Sequence, residues 1–241
     1  MISIDIKRKN LIPILNILEK DLNFKGGCIT IPFKEDVFNY LNKKKRLDQI
    51  TKKIGAVNCI YRKNNKLYGA NTDGEAARHV FEKKFGSFKK KECLILGYGG
   101  VGKAVTAFFN EKLNHKIYVS NRTKIKKKHV IKNKINYLDW HDIPKILPKI
   151  DIVINCTSLG FDKNTKSPIK KEDFKFIKRN KIIFDVIYKP IQTKFLKLAK
   201  INKNKTLNGL EMNKIQAILA IKKVLKSSVK FLEIKNALRK V

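Results

Sequence analysis

The sequence predicts an α/β protein, and three observations carry that prediction. From about residue 74 onward, apolar strand-like runs ("CLILG", "KIYVSN", "DIVINCTS", "KIIFDVIY") alternate with helical segments. Glycines directly follow the first of these runs and open a helix. Before residue 74 the pattern is mixed, with short strands, helices and one hairpin signal. Strands that alternate with helices imply a parallel sheet covered on both faces.

Taken in order, "ISIDI" at residues 2–6 alternates as an opening strand, and residues 10–22 have helical apolar spacing with Asn10 as a cap. "GCITIPF" is a β-rich run ended by Pro32, and "KEDVFNYLNKKKRLDQI" reads as one helix. "GAVNCIYRKNNKLYGANTDG" reads as a hairpin turning at Asn64–Asn65. A helix from about Glu75 to Lys84 leads into "CLILG", and the next helix opens near Gly100. A lysine-rich helix or loop follows "KIYVSN". The last stretch, "LNGLEMNKIQAILAIKKVLK", is a long amphipathic helix starting at Leu210.

Composition narrows the function classes. With 241 residues, 43% of them hydrophobic, the chain can bury a sizeable core and is not wholesale disordered. It has no apolar run long enough to span a membrane and no signal-peptide core at "MISIDIKRKN", which predicts a soluble, cytoplasmic protein. Cys28, Cys59, Cys93 and Cys156 are widely separated in apolar runs, so they are expected to be small buried hydrophobes rather than disulfides or metal ligands.

The net charge of +35 invites a nucleic-acid reading. The excess, however, is almost all lysine (48, against seven arginines) and is spread along the chain. Lysine, asparagine and isoleucine are all abundant and share AT-rich codons, so mutational bias accounts for the composition. Runs such as Lys43–Lys45, Lys89–Lys91 and Lys126–Lys128 read as solvated faces or loops. A nucleic-acid binder would need clustered arginines and aromatic platforms, which are missing; only non-specific adhesion at low salt is expected.

"LILGYGGVGKA" supplies G-x-G-x-x-G at Gly97, Gly99 and Gly102, between a strand and a helix. In that setting the first glycine permits a tight turn, the second admits a pyrophosphate to the backbone N–H groups, and the third lets helix and strand pack closely. The helix N-terminus favours the anion. A dinucleotide site is predicted. Where NAD-preferring sites carry an acidic residue for the ribose 2′-hydroxyl, this chain has Asn121, Arg122 and Thr123. A planar cation with polar neighbours suits a 2′-phosphate, so NADP is the expected cofactor.

"ITIPFKE", "GAVNCI", "NTDG", "LGYGGVGKA", "NRT", "INCTSLG", "FDVIYKP" and "NGLEM…QA" occur in one order from residue 2 to about residue 230. Together they resemble shikimate dehydrogenase, the NADP-dependent enzyme family of aromatic biosynthesis. The resemblance implies two domains with the active site in the cleft between them. Residues 1–73, completed by 211–241, would form an α/β substrate lobe, and residues 74–210 a Rossmann-type doubly wound NADP-binding domain.

By this resemblance Lys34 and Asp73 are the catalytic pair. Oxidising the shikimate 3-hydroxyl moves a hydride to the nicotinamide and releases a proton, which an amine beside that oxygen takes and returns in the reverse direction. Lys34 otherwise serves as a fixed charge polarising the carbonyl. Asp73 is mainly a positioner and acceptor of a substrate hydroxyl. Thr30, Asn58, Asp73 and Gln216 are implied to hydrogen-bond the ring hydroxyls, with Tyr188 helping to close the site. Gly97, Gly99, Gly100 and Val101 would line the pyrophosphate, Thr157 and Ser158 the ribose or nicotinamide, and Gly209 and Met212 the nicotinamide.

The chain departs from the family pattern in three places. Met1–Asp5 aligns with the family's second strand, so the preceding strand and its carboxylate-binding S-x-S are expected to be missing. Cys28 stands where asparagine is common, and Glu211 replaces the second glycine of G-L-G-M. Three other readings make distinct predictions. A truncated or decayed relative would bind NADP without turnover, and a quinate/shikimate dehydrogenase would carry an acidic residue in place of "NRT". A nucleic-acid-binding protein would show the arginine and aromatic clusters already found wanting. The small molecules shikimate and 3-dehydroshikimate are the expected partners, for a monomer or homodimer.

Overall fold

The computed structural model describes residues 4–111, 116–125, 130–131, 134–225 and 230–237. They divide into two compact units: Met1–Thr72 with Gln216–Val241, and Asp73–Ile215.

The first unit contains α1 (Leu11–Lys20), β1 (Gly26–Cys28), α2 (Lys34–Lys43), α3 (Gln49–Ile54), β2 (Cys59–Lys63) and β3 (Lys66–Ala70). Its sheet is antiparallel, in the order β1-β2-β3. Asn64 and Asn65 both adopt positive φ (48° and 57°), the geometry a two-residue hairpin requires, and asparagine tolerates it well. Leu11 and Leu15 of α1, Val37 and Leu41 of α2, and Leu47, Val57, Ile60 and Leu67 form one buried cluster. Arg62, 8% exposed, is stapled to the backbone. Its guanidinium donates to the carbonyls of Leu18 (2.7 Å), Glu19 (3.2 Å), Asp21 (2.7 Å), Phe24 (2.8 Å) and Asn65 (2.9 Å). Three of those carbonyls lie at the C-terminal end of α1, where a cation also meets the negative end of the helix dipole.

Three sequence expectations fail in this unit. Ile4–Ile6, the described part of the expected opening strand, pairs with no strand among the described residues; alternation alone does not make a strand without a neighbouring ladder. The helix expected over residues 34–50 is two. The chain breaks at Lys45 (φ 57°) so that buried Leu47 can bridge to Gly69, and α3 restarts with Asp48 capping the Thr51 N–H at 2.8 Å. Cys28, expected buried, is exposed at the end of the three-residue β1.

The second unit contains α4 (Asp73–Phe85), β4 (Cys93–Leu96), α5 (Gly100–Asn110), β5 (Ile117–Ser120), β6 (Asn136–Tyr137), α6 (Ile143–Ile146), β7 (Ile152–Asn155), β8 (Ile182–Asp185), α7 (Lys194–Ile201) and β9 (Lys205–Leu207). The strands form one parallel sheet in the order β6-β5-β4-β7-β8-β9. Counted within the unit this is 3-2-1-4-5-6, the doubly wound dinucleotide-binding order whose reversal point lies between β4 and β7. The α/β class expected from the sequence is thus the one observed.

Every residue of β4, β7 and β8 is buried, as a sheet covered on both faces demands. On one face Leu94, Leu96, Val153 and Ile183 pack with Ile143, Phe174 and Phe195. Elsewhere in the unit Phe81, Phe88 and Phe109 form a buried aromatic cluster, with ring centroids 4.7–5.3 Å apart. Gly74 lets α4 press against α5, since a Cβ there would collide with the Ala104 carbonyl oxygen. The lysine-rich segment expected after β5 falls largely outside the described residues. Helix α8 (Leu210–Val224) begins where the sequence predicts and contains the boundary between the units. Helix α9 (Phe231–Ala237) follows it.

Candidate active site

In the first unit the structure gathers three polar residues. Asn58, 2% exposed, follows the turn after α3 and precedes β2. Its Nδ2 donates to Thr72 Oγ1 (2.9 Å) and Gln216 Oε1 (3.3 Å), while its Oδ1 accepts from the Thr72 N–H (2.9 Å). The Thr72 hydroxyl lies 3.0 Å from the Gln216 carbonyl oxygen, to which it donates. Gln216 is therefore held by this cluster rather than projecting from a free helix face. Lys34 is half-buried at the first position of α2, where its carbonyl accepts from the Val57 N–H at 2.9 Å. Thr30 is exposed, and its carbonyl accepts from the Phe33 N–H at 3.0 Å in the turn leading to α2.

In the second unit Asp73 is buried at the start of α4. The glycine loop leaves the C-terminal end of β4. Gly97 has φ +94° and donates its N–H to the Ser120 carbonyl at 2.8 Å. A Cβ on Gly102 would collide with the Gly97 carbonyl oxygen, which fixes glycine at both places. At Gly99 an added Cβ meets nothing within 4 Å, so the space in front of the loop is open. Gly99 precedes α5 without a side-chain cap, Gly100 and Val101 begin the helix, and its first turn has no acidic residue. This end of α5 offers uncommitted N–H groups and a positive dipole end, the chemistry a pyrophosphate needs.

Asn121 Oδ1 accepts from the Tyr98 N–H (3.0 Å), and its Nδ2 donates to the Thr123 carbonyl (2.8 Å), tying the end of β5 to the glycine loop. Arg122 and Thr123 are exposed beside it. After β7, Thr157 is half-buried and Ser158 exposed. Tyr188 is 40% exposed and packs edge-on against Phe161, with centroids 5.7 Å apart. Gly209 and Met212 are buried around the start of α8. Glu211 is exposed and pairs with Lys214 at 3.4 Å, so its carboxylate has a solvent-side partner.

These features can be set beside known proteins. Residues 1–60 match the family model described as the shikimate dehydrogenase substrate binding domain, and residues 79–190 match that for shikimate / quinate 5-dehydrogenase. The chain belongs to the shikimate dehydrogenase family. The NADP(+) shikimate dehydrogenase of Methanococcus aeolicus is 36% identical over 220 residues, covering 88% of this chain and 76% of the relative. That of Clostridium beijerinckii is 35% identical over 218 residues, covering 90% and 77%. Among solved structures, a shikimate dehydrogenase in complex with NADP+ superposes with a TM-score of 0.83 at 30% identity, covering 98% of this chain and 83% of that one. The Thermus thermophilus shikimate 5-dehydrogenase, in complex with NADP(H) and shikimate, superposes with a TM-score of 0.81 at 25% identity, covering 98% and 85%.

Sequence reasoning missed four residues of the buried polar clusters. Thr72 sits inside "NTDG", one position before the residue singled out. Asn155, Asp185 and Thr193 form a buried polar network at the C-terminal ends of β7 and β8. The available signal was a polar residue closing each of two otherwise apolar strands, "IVIN" and "IIFD", which the sheet sets in register as Asn155↔Asp185. Burial pushes the Asp185 carboxyl up to about 6, despite the hydrogen bonds from Thr193, Ile187 and Asn155 that favour its ionised form. Burial also pushes the Cys59 thiol up to about 12 and the Cys93 thiol well up, so both remain inert. No group of three or more metal-ligating side chains occurs among the described residues, and no helix among them is long and apolar enough to cross a membrane.

Proposed function

We propose that this chain is an NADP-dependent shikimate dehydrogenase, interconverting 3-dehydroshikimate and shikimate in aromatic biosynthesis. The observation that carries the reading is family membership over both units, with relatives named NADP(+) shikimate dehydrogenase at 35–36% identity. The β5 end supports NADP in particular: Asn121, Arg122 and Thr123 offer a cation and hydrogen-bonding groups, with no carboxylate to repel a 2′-phosphate. For the same reason the quinate-type alternative is not favoured.

NADPH supplies the hydride, and the chain's own groups handle the substrate and the proton. Lys34 gives a proton to the oxygen at C3 as the ketone is reduced, or takes it during oxidation. Asp73 accepts a hydrogen bond from a neighbouring ring hydroxyl and positions the ring. Thr30, Asn58 and Gln216 serve the remaining hydroxyls; neutral amide and hydroxyl groups suit them because each donates as well as accepts. Tyr188 covers the substrate. Gly97, Gly99, Gly100, Val101 and Gly102 hold the pyrophosphate, and Thr157, Ser158, Gly209 and Met212 border the ribose and nicotinamide. The enzyme works in the cytoplasm as a monomer or homodimer, without a specific nucleic-acid partner.

The test follows NADPH formation by absorbance, with the purified chain, shikimate and NADP+. Wild type turns over, and Lys34→Ala lowers kcat by roughly 100-fold or more while NADP affinity stays within about twofold. Turnover unchanged by Lys34→Ala would sink the catalytic assignment. Cofactor binding without turnover in wild type would sink the enzymatic one.

A further inference from the structure

We propose that Asp185 is a positioning residue for the dinucleotide: its carboxylate fixes the orientation of the Asn155 amide, and the amide in turn holds Thr157 and the loop after β7. The inference rests on the reading that Thr157 and Ser158 line the cofactor.

The chain of bonds has one direction. Asp185 is fully buried at the end of β8 and accepts three hydrogen bonds. Its Oδ1 takes Asn155 Nδ2 (3.0 Å) and the Ile187 N–H (3.2 Å), and its Oδ2 takes the Thr193 hydroxyl (2.6 Å). An ionised carboxylate has no proton to give, so only the NH2 end of the Asn155 amide can face it. That leaves Asn155 Oδ1 pointing into the loop, where it accepts from both the N–H (3.0 Å) and the hydroxyl (2.7 Å) of Thr157. Because the Thr157 hydroxyl has spent its proton on Asn155, its oxygen is free to accept from the Leu159 N–H at 3.1 Å. The second Asn155 N–H closes the ring at the Leu159 carbonyl (3.2 Å).

All four hydrogen-bonding positions of the Asn155 side chain are therefore used, and flipping the amide would set three of them against like partners: Asp185 Oδ1, the Leu159 carbonyl and the Thr157 N–H. The loop held this way lies beside the glycine loop: a Cβ on Gly97 would come within 2.9 Å of Thr157 Cγ2. A displaced Thr157 therefore disturbs the pyrophosphate turn as well as its own contact. Asp185, with its carboxyl pushed to about 6, is mostly ionised at pH 7 and keeps the arrangement in this one sense. Burial, with Cys93, Asp185 and Asp73 adding to it, raises the Cys156 thiol well above its ordinary value and keeps it uncharged.

The experiment measures the dissociation constant of NADP+ calorimetrically for the full chain and five variants, one of them double. Asp185→Ala frees the amide and is expected to weaken NADP+ about tenfold. Asp185→Asn can still present one oxygen to Asn155 and restores binding to within about threefold. Thr193→Val removes a bond from the same carboxylate without releasing Asn155, so it lowers the melting temperature but changes binding less than twofold. In a Thr157→Val background, Asp185→Ala adds less than twofold, because the receiving end of the relay is already gone. If Asp185→Ala does not fold, Asn155→Ala takes its place with the same expected pattern. Wild-type affinity in Asp185→Ala, an equal loss in Thr193→Val, or full additivity with Thr157→Val would each overturn the proposal. Failure of the wild-type chain to bind NADP+ at all would overturn the cofactor reading itself, and this one with it.

Discussion

Asn58 in the first unit and Asn155 in the second are both buried asparagines that use their amide as acceptor and donor, but they answer to different neighbours. Asn58 bonds neutral groups: the Thr72 hydroxyl and N–H, and the Gln216 amide. The Thr72 hydroxyl and the Gln216 amide can turn to donate or accept, while the Thr72 N–H keeps Asn58 Oδ1 an acceptor, so adaptation to a hydroxylated ligand falls to those two side chains. Asn155 is set against Asp185, which only accepts, and its sense is fixed. The contrast teaches how two buried polar sites of similar size serve different ends. A neutral cluster suits recognition of several hydroxyls, whereas a charge-anchored one holds a loop in place.

The most forceful way to break this contrast is to remove both amides. Asn155→Leu strips a donor from a buried carboxylate and should cost about 3 kcal/mol or more, whereas Asn58→Leu unpairs the neutral Thr72 and Gln216 groups and should cost about 1–2 kcal/mol. Chemical denaturation of the two variants checks this, and equal losses would abolish the distinction.

A second test uses pH. The Asp185 carboxyl binds its proton more tightly when folded, at about 6, than at its ordinary 3.8. The stabilisation from that proton is complete below about pH 4 and is lost as pH rises through 6; a shift of roughly two units corresponds to about 3 kcal/mol. The stability advantage of wild type over Asp185→Asn should therefore grow as pH is lowered from 7 to 4. An advantage that is flat with pH would mean the carboxyl titrates as if exposed. No such dependence is expected on comparing wild type with Asn58→Ala.

Smaller effects sharpen the division of labour between the two regions. Gln216→Ala should raise the KM for shikimate about tenfold, the equivalent of one lost hydrogen bond of about 1.4 kcal/mol, and leave NADP+ binding unchanged. Arg122→Ala should do the converse, weakening NADP+ by roughly five- to tenfold and narrowing the preference over NAD+, since an exposed cation contributes modestly. Steady-state kinetics with both cofactors reads out the pair, and loss of shikimate affinity in Arg122→Ala would contradict it.

Much of the fold was legible because its causes are local. Asn64–Asn65 marks the hairpin, the glycines mark the start of α5, and Leu210 opens α8, each through backbone chemistry that a few adjacent residues determine. The break at Lys45 was not legible, because it exists to let Leu47 reach Gly69, 22 positions along the chain. Cys28 lies in an apolar run, but its strand is three residues long and the chain leaves the sheet at that point. The Asp185 network escaped for a similar reason: Asn155 and Asp185 are 30 residues apart and become neighbours only once β7 and β8 align. Periodicity shows which face of an element is buried but not which polar residue will meet which.

Arg62 shows what a compositional drift toward lysine cannot reach. The chain takes 48 of its 55 basic residues as lysine. An ammonium has three N–H bonds radiating from one point, whereas the five carbonyls around Arg62 are spread over three segments of backbone. Lysine at this position would leave at least two of them without the bonds that now tie these segments together. Residue 62 is thus a position where the shape of the cation, and not its charge alone, is required.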